Sequence, residues 1–148
     1  MKPKILVSAC LLGENCKYNG ENNKNEEVLR LGEYFEMIPV CPECFGGLPI
    51  PREPAEIRNG EVFQKNGNNL TAAFRYGAEQ TLYIAEEKNC VAAVLKENSP
   101  SCGYGRIYDG SFSKKLKDGN GITAELLSSR GIAVFGESRV NKLIELYS

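Results

Sequence analysis

The stretch VAAVLKENSPSCG, residues 91–103, decides the fold. Val91-Ala92-Ala93-Val94-Leu95 is an apolar run of strand length. It breaks at Lys96-Glu97-Asn98-Ser99-Pro100, and Ser101, Cys102 and Gly103 follow at once. A buried strand that ends in a Ser/Pro/Gly turn carrying a cysteine is where an α/β protein places its chemistry. Two other stretches repeat the design. Lys4–Ser8 (KILVS) is an apolar strand followed by Ala9-Cys10, and residues 35–40 (FEMIPV) form a strand candidate followed by Cys41-Pro42-Glu43. In a parallel sheet the carboxyl ends of such strands share one edge, so Cys10, Cys41 and Cys102 are expected to converge there.

The rest of the chain supplies the scaffold. The chain has 148 residues, expected to form a single α/β domain over 1–148, and its 42% hydrophobic and 25% charged content is that of an ordinary globular protein. A net charge of -1 offers no overall attraction for a nucleic-acid polymer. No apolar run reaches membrane-spanning length, and the start of the chain enters a strand without a signal-peptide pattern, so a cytoplasmic protein with no membrane partner is expected.

Asn25 is placed to cap a helix running to Tyr34, and residues 14–25 form a polar loop that carries Cys16. Residues 41–56 (CPECFGGLPIPREPAE) are dense in Pro and Gly and read as an irregular loop, with no room for a helix. Asn59-Gly60 marks a hairpin across residues 57–64. The longest helix is expected from Leu70 to about Lys88, capped by Asn69 or Thr71, with Ala72, Ala73, Tyr76, Leu82, Tyr83 and Ala85 on its apolar face. Residues 105–112 suggest a short extended pair around Asp109-Gly110. A helix through Ile122 to Arg130, a strand over residues 132–135 and a terminal helix over Val140–Tyr147 complete the order. The predicted fold is therefore a mostly parallel sheet of about four strands with helices on both faces and a small hairpin insertion, in Rossmann-like or flavodoxin-like layers.

Six cysteines in a chain of this kind point to metal or redox chemistry, because the cytosol keeps thiols reduced. There is no histidine, which removes His-liganded zinc, a Cys-His nucleophile and the Ser-His-Asp triad together. Each cysteine alone also reads as a small buried hydrophobe. Three of them at strand ends suit an iron–sulfur cluster with one open iron, or a cysteine-liganded zinc. Cys44 completes a C-x-x-C with Cys41. That spacing serves a redox pair, a motif that normally opens a helix, or it supplies a fourth zinc ligand in a non-catalytic Cys₄ domain. An iron–sulfur carrier of electrons or sulfur is the remaining alternative. Cys90 reads as core, and Cys16 has no evident role. Glu43 stands two residues from Cys41 and is a candidate general base, or a carboxylate that caps loop amides. Ser101 is a candidate for charge stabilisation, or a plain turn residue. Arg52 and Glu56 read as a surface pair that orders their own loop.

Three motifs carry a family resemblance. They are Val7-Ser8-Ala9-Cys10-Leu11-Leu12-Gly13, then Val40-Cys41-Pro42-Glu43 with Gly46-Gly47-Leu48-Pro49 and Pro51-Arg52, and Ser99-Pro100-Ser101-Cys102-Gly103. In this order they resemble the thiouracil desulfidase family over nearly the whole chain. The resemblance implies a 4Fe–4S cluster held by only three cysteines, Cys10, Cys41 and Cys102, with one open iron. It also implies catalytic roles for Glu43 and Ser101. The expected activity is a non-redox, hydrolytic desulfuration of a small thiolated substrate of thiouracil type, with sulfide released. Two stretches depart from the family pattern. Lys17-Tyr18-Asn19-Gly20 stands where Arg-Tyr-Asp-Gly is expected, and Cys44 replaces an aliphatic residue.

Overall fold

The computed structural model describes residues 2–148. Four parallel strands form the sheet: β1 (Lys4–Ser8), β2 (Glu36–Val40), β5 (Ala92–Leu95) and β8 (Ala133–Gly136), in the order β2-β1-β5-β8. Register pairs Ser8 with Val40, Val7 with Val94, and Leu95 with Gly136. Two antiparallel hairpins stand apart from this sheet. One joins β3 (Ala55–Arg58) to β4 (Glu61–Gln64), and the other joins β6 (Arg106–Tyr108) to β7 (Leu116–Asp118).

Both faces of the sheet are covered, because alternate residues of each central strand point to opposite sides. On one face Ile5, Val7, Ala92 and Val94 pack with Val28 of α1 (Glu26–Leu29) and with Val140 and Leu143 of α5 (Val140–Tyr147). On the other, Leu6, Ala93 and Leu95 pack with Leu82 and Ala85 of α3 (Thr71–Glu87) and with Ala124 and Leu127 of α4 (Ile122–Ser129). β5 and the residues of β1 after Lys4 are buried on both sides, which explains why they read as apolar runs. The layered parallel sheet expected from the sequence is therefore present.

Several local expectations need correction. The segment read as too irregular for a helix contains the one-turn helix α2 (Pro42–Phe45). Pro42 is at its first turn, where a missing N–H costs nothing, and Gly46 ends it. The helix expected to run to Tyr34 is α-helical only to Leu29 and continues as a 3-10 turn over Arg30–Glu33, although Asn25 does cap it, accepting from the Val28 N–H at 3.1 Å. Asn69 accepts from the Thr71 N–H at the start of α3, while the Thr71 hydroxyl accepts from the Val62 N–H instead. Tyr76 and Tyr83 face solvent; Phe74, Gly77, Ala78, Thr81 and Leu82 form the buried side of α3. β6 pairs with β7 across a loop of residues 109–115, not around a two-residue turn at Asp109-Gly110. Among the described residues, no helix is long and apolar enough to cross a membrane.

Candidate active site

β1 lies between β2 and β5, so the chain leaves β1 to one side and later returns to the other. The carboxyl ends of β1 and β5 therefore diverge at a topological switch point, the place where open α/β sheets bind ligands. A cavity of about 520 Å³ opens there. Cys10, Cys41, Cys102 and Glu43 all line it, delivered by the turns after β1, β2 and β5. The three-strand convergence expected from the sequence is what the backbone builds.

Cys10 sits in a 3-10 turn over Ala9–Leu12, and its sulfur accepts from the Asn23 side-chain amide at 3.4 Å. Cys41 occupies the N-cap of α2, and its carbonyl accepts from the Phe45 N–H at 2.9 Å. Cys16 also lines the cavity. Its thiol neighbours the sulfurs of Cys10 and Cys41, and its carbonyl accepts from Cys41 Sγ at 3.9 Å, so a loop cysteine without an evident role in the sequence joins the site. Its carbonyl accepts from Arg52 Nη2 at 3.0 Å. Cys102 is almost fully buried beside the Ser8 hydroxyl, which accepts from the Lys96 N–H at 2.9 Å. Cys44 stands beside Cys41, whereas Cys90 packs at the edge of the α3/α4 core, away from the cavity.

These contacts set the charge states. The Cys16 thiol, donating to Cys41, is the main reason the Cys41 thiol is pulled down to about 5; burial opposes it, and Arg52 adds to it. The same thiol pulls Cys10 down to about 7 against burial. Cys16, which gives up its proton last, is pushed up by its bonds to Cys10 and Cys41. Burial pushes Cys44 up to about 11 and Cys102 up to about 12. Burial raises Glu43 above the ordinary carboxylate range, and the Arg52 guanidinium opposes that rise. Arg52 Nε donates to Glu43 Oε1 at 3.0 Å, and its Nη1 donates to the Pro49 carbonyl at 3.2 Å. Arg52 therefore pairs with Glu43, not with Glu56 as the sequence suggested.

Ser101 is placed differently from its expected role. Its hydroxyl lies 2.9 Å from Thr123 Oγ1, the residue is 1% exposed, and it does not line the cavity. Ser99 holds that turn, since its hydroxyl accepts from the N–H groups of both Ser101 and Cys102 at 3.1 Å. Ser8 and Ser99 are the serines that do line the cavity. Sequence reasoning passed over them because a turn serine shows its partners only once the fold brings them near.

The donor set is soft and free of histidine, which suits iron–sulfur chemistry. Among the described residues, no three Cys, Asp or Glu side chains close on one point as ligands of a single ion.

A curated relative, the uncharacterised protein YbbK of Bacillus subtilis (strain 168), is 41% identical over 150 residues, which cover 95% of this chain and 99% of the relative. A solved structure, that of the [4Fe-4S]-dependent thiouracil desulfidase TudS, is similar with a TM-score of 0.91 and 42% identity. That likeness covers 96% of this chain and 95% of the other. Residues 5–139 match the family model described as 2-thiouracil desulfurase. With nearly all of its sheet, cavity and cysteine turns inside that match, the chain belongs to the 2-thiouracil desulfurase family.

Proposed function

We propose that this chain hydrolyses the C=S bond of a thiolated pyrimidine of thiouracil type, giving the carbonyl product and sulfide. The observation that carries the reading is the meeting of Cys10, Cys41, Cys102 and Glu43 around one cavity at the switch point of the sheet. The likeness to the [4Fe-4S]-dependent desulfidase TudS supports it. Cys10, Cys41 and Cys102 are proposed to hold a 4Fe–4S cluster with one iron left open. When bound, that group supplies a soft iron suited to the sulfur of a thiocarbonyl.

The chain's own residues supply the proton chemistry. Water adds to the thiocarbonyl carbon and sulfide leaves, so the carbon keeps its oxidation state and no electrons are transferred. Glu43 takes the proton from that water. A carboxylate whose pKa burial has raised is a stronger base than one in solvent, and Arg52 keeps it ionised and aimed. The side chains of Ser8 and Ser99 tie the strand ends to their turns and so fix where the substrate lies. Ser101 enters through its pair with Thr123, which anchors the turn that carries Cys102; direct action on substrate requires its side chain to rotate out of that pair. We place the activity in the cytoplasm, where thiols stay reduced, on a small-molecule substrate and not a nucleic-acid polymer.

The test is sulfide release from a panel of thiolated nucleobases by anaerobically reconstituted protein. Sulfide and carbonyl product in equal amounts are expected. Protein loaded with iron and sulfide that releases none from any member of the panel overturns the reading.

A further inference from the structure

The lining of the cavity includes one unusual backbone position. Phe112 lies in the loop between β6 and β7 with φ 58, a left-handed conformation that a bulky side chain rarely takes. Something must hold it there, and residues held this way cluster at functional sites. The holder is Glu56. Its Oε1 accepts from the Gly110 N–H at 3.0 Å and from the Phe112 N–H at 3.1 Å. Gly110 adds a second anchor. Its φ is 92, and a Cβ there would meet the Ile57 carbonyl oxygen at 2.8 Å, so the loop rests directly on β3. Phe112 and Glu56 both line the cavity that Cys10, Cys41 and Cys102 line, and Tyr18 and Tyr108 join them.

We propose that Phe112 is the specificity residue of this site, its ring stacking on the flat heteroaromatic ring of the substrate, and that Glu56 is the positioning residue that presents it. The inference rests on the desulfurase reading and narrows its substrate class. Stacking selects a planar ring and tolerates its substituents, since every base has a π-face. Planar thiocarbonyl heterocycles are therefore the substrates, and a small aliphatic thioamide such as thioacetamide is a poor one. An open-chain thioamide offers the same C=S bond and nothing for Phe112 to cover.

The experiment measures kcat and KM for 2-thiouracil on reconstituted protein, alongside equilibrium dialysis of 2-thiouracil against the same samples. Base stacking is worth about 1–3 kcal/mol by alanine substitution. At about 1.4 kcal/mol per tenfold, Phe112→Ala should raise KM and the dialysis Kd about 5- to 140-fold, with kcat changed far less. Phe112→Tyr should stay close to wild type. Glu56→Ala should copy Phe112→Ala, Glu56→Gln should restore binding because its amide oxygen still accepts, and Phe112→Ala combined with Glu56→Ala should be no weaker than Phe112→Ala alone. Unchanged KM and Kd in Phe112→Ala overturn the inference while leaving the desulfurase reading intact. Binding of 2-thiouracil that depends on Phe112, with no sulfide released by the loaded wild type from any member of the nucleobase panel, supports the inference and overturns the desulfurase reading. A wild-type protein that binds no 2-thiouracil, or that turns over thioacetamide as well as 2-thiouracil, overturns the inference.

Discussion

Arg52 holds Glu43 in place: Nε donates to Oε1 at 3.0 Å, and the arginine side chain is only 5% exposed. The same guanidinium reaches the carbonyls of Cys16 and Pro49, so one side chain ties the first cysteine loop to the α2 turn. Glu43→Gln keeps the shape of this arrangement and removes the base. Iron and sulfide content should match wild type, while sulfide release should fall about 10²- to 10⁴-fold, the usual cost of losing a general base. Iron analysis and a steady-state sulfide assay on one preparation read both. A Glu43→Gln protein that desulfurates at the wild-type rate removes Glu43 from the chemistry.

Arg52 sets when Glu43 is ionised. Burial raises the Glu43 pKa and Arg52 opposes that rise, so removing the guanidinium raises it further. The base must be ionised to act, and activity is lost as pH falls through its pKa. The acid limb of the kcat/KM profile should therefore move to higher pH in Arg52→Ala, and move less in Arg52→Lys, which keeps the charge without the fork. An acid limb that stays in place shows that Arg52 acts only as scaffold.

The cysteines divide into groups that a serine scan separates. Cys10→Ser, Cys41→Ser and Cys102→Ser should lose or badly weaken iron binding after anaerobic reconstitution. Cys90→Ser should leave it near wild type, because Cys90 packs away from the cavity. Cys44→Ser and Cys16→Ser should also keep iron, which follows from a cluster held by three cysteines. If Cys16→Ser or Cys44→Ser abolishes iron binding as completely as Cys102→Ser does, the site has a fourth protein ligand and the open position is lost.

The strands that carry Cys10 and Cys102 were legible because a buried parallel strand is apolar on both faces, while β2 at the sheet edge is half-exposed and was marked by the Cys-Pro turn that ends it. The partners of Arg52 and Glu56 were not legible. The two residues are neighbours in sequence, yet one reaches Glu43 and the other reaches Phe112 across the fold. Cys16 was missed for the same reason, since only the path of its loop places its thiol between Cys10 and Cys41. The helix at Pro42–Phe45 was missed because proline was read as a breaker, although at a first helical turn it is compatible with the helix. The buried side of α3 was misjudged by trusting Tyr76 and Tyr83 as core, when Gly77 and Thr81 are the residues pressed inward.

Thiol reactivity in the cluster-free protein provides a fourth check. Cys41 is pulled from 9.0 down to about 5, and Cys102 is pushed up to about 12. Only the thiolate attacks an alkylating agent. Above about pH 6, a full unit over the lowered Cys41 value, Cys41 is already thiolate, so its labelling rate should be nearly flat up to pH 8. It should drop as pH falls through the lowered value and the sulfur is protonated. Cys102 should stay unlabelled throughout. Peptide mapping after brief iodoacetamide pulses reads each site separately. A Cys41 rate that climbs tenfold per pH unit between 6 and 8 would be that of an ordinary thiol, and the surroundings of Cys41 would then not favour its thiolate.

The last prediction concerns how α3 positions the site without touching it. Gly77 and Gly46 are the contact points between α3 and the α2 turn. A Cβ on Gly77 would fall on the Pro42 carbonyl oxygen, and one on Gly46 would fall on the Ala73 carbonyl oxygen. Both obstacles are backbone, so no side chain can swing aside to make room. Gly77→Ala must push α2 away from α3, and Cys41 and Glu43 move with it, since one is the N-cap of that turn and the other lies within it. Overpacking costs about 1–3 kcal/mol and occasionally more; an obstacle made of backbone puts Gly77→Ala at the upper end, and the better helix propensity of alanine, about 1 kcal/mol over glycine, leaves a net loss of about 2 kcal/mol. At roughly 2–4 °C of Tm per kcal/mol for a chain of this size, Gly77→Ala should melt several degrees lower. It should also lose activity beyond its loss of folded protein, because the base and one cysteine shift together. Glu79→Ala, two residues along on the exposed side of the same helix, is the control and should change neither. A Gly77→Ala protein with wild-type Tm and wild-type sulfide release would mean that α2 does not rest on α3, and that something else sets the position of Cys41.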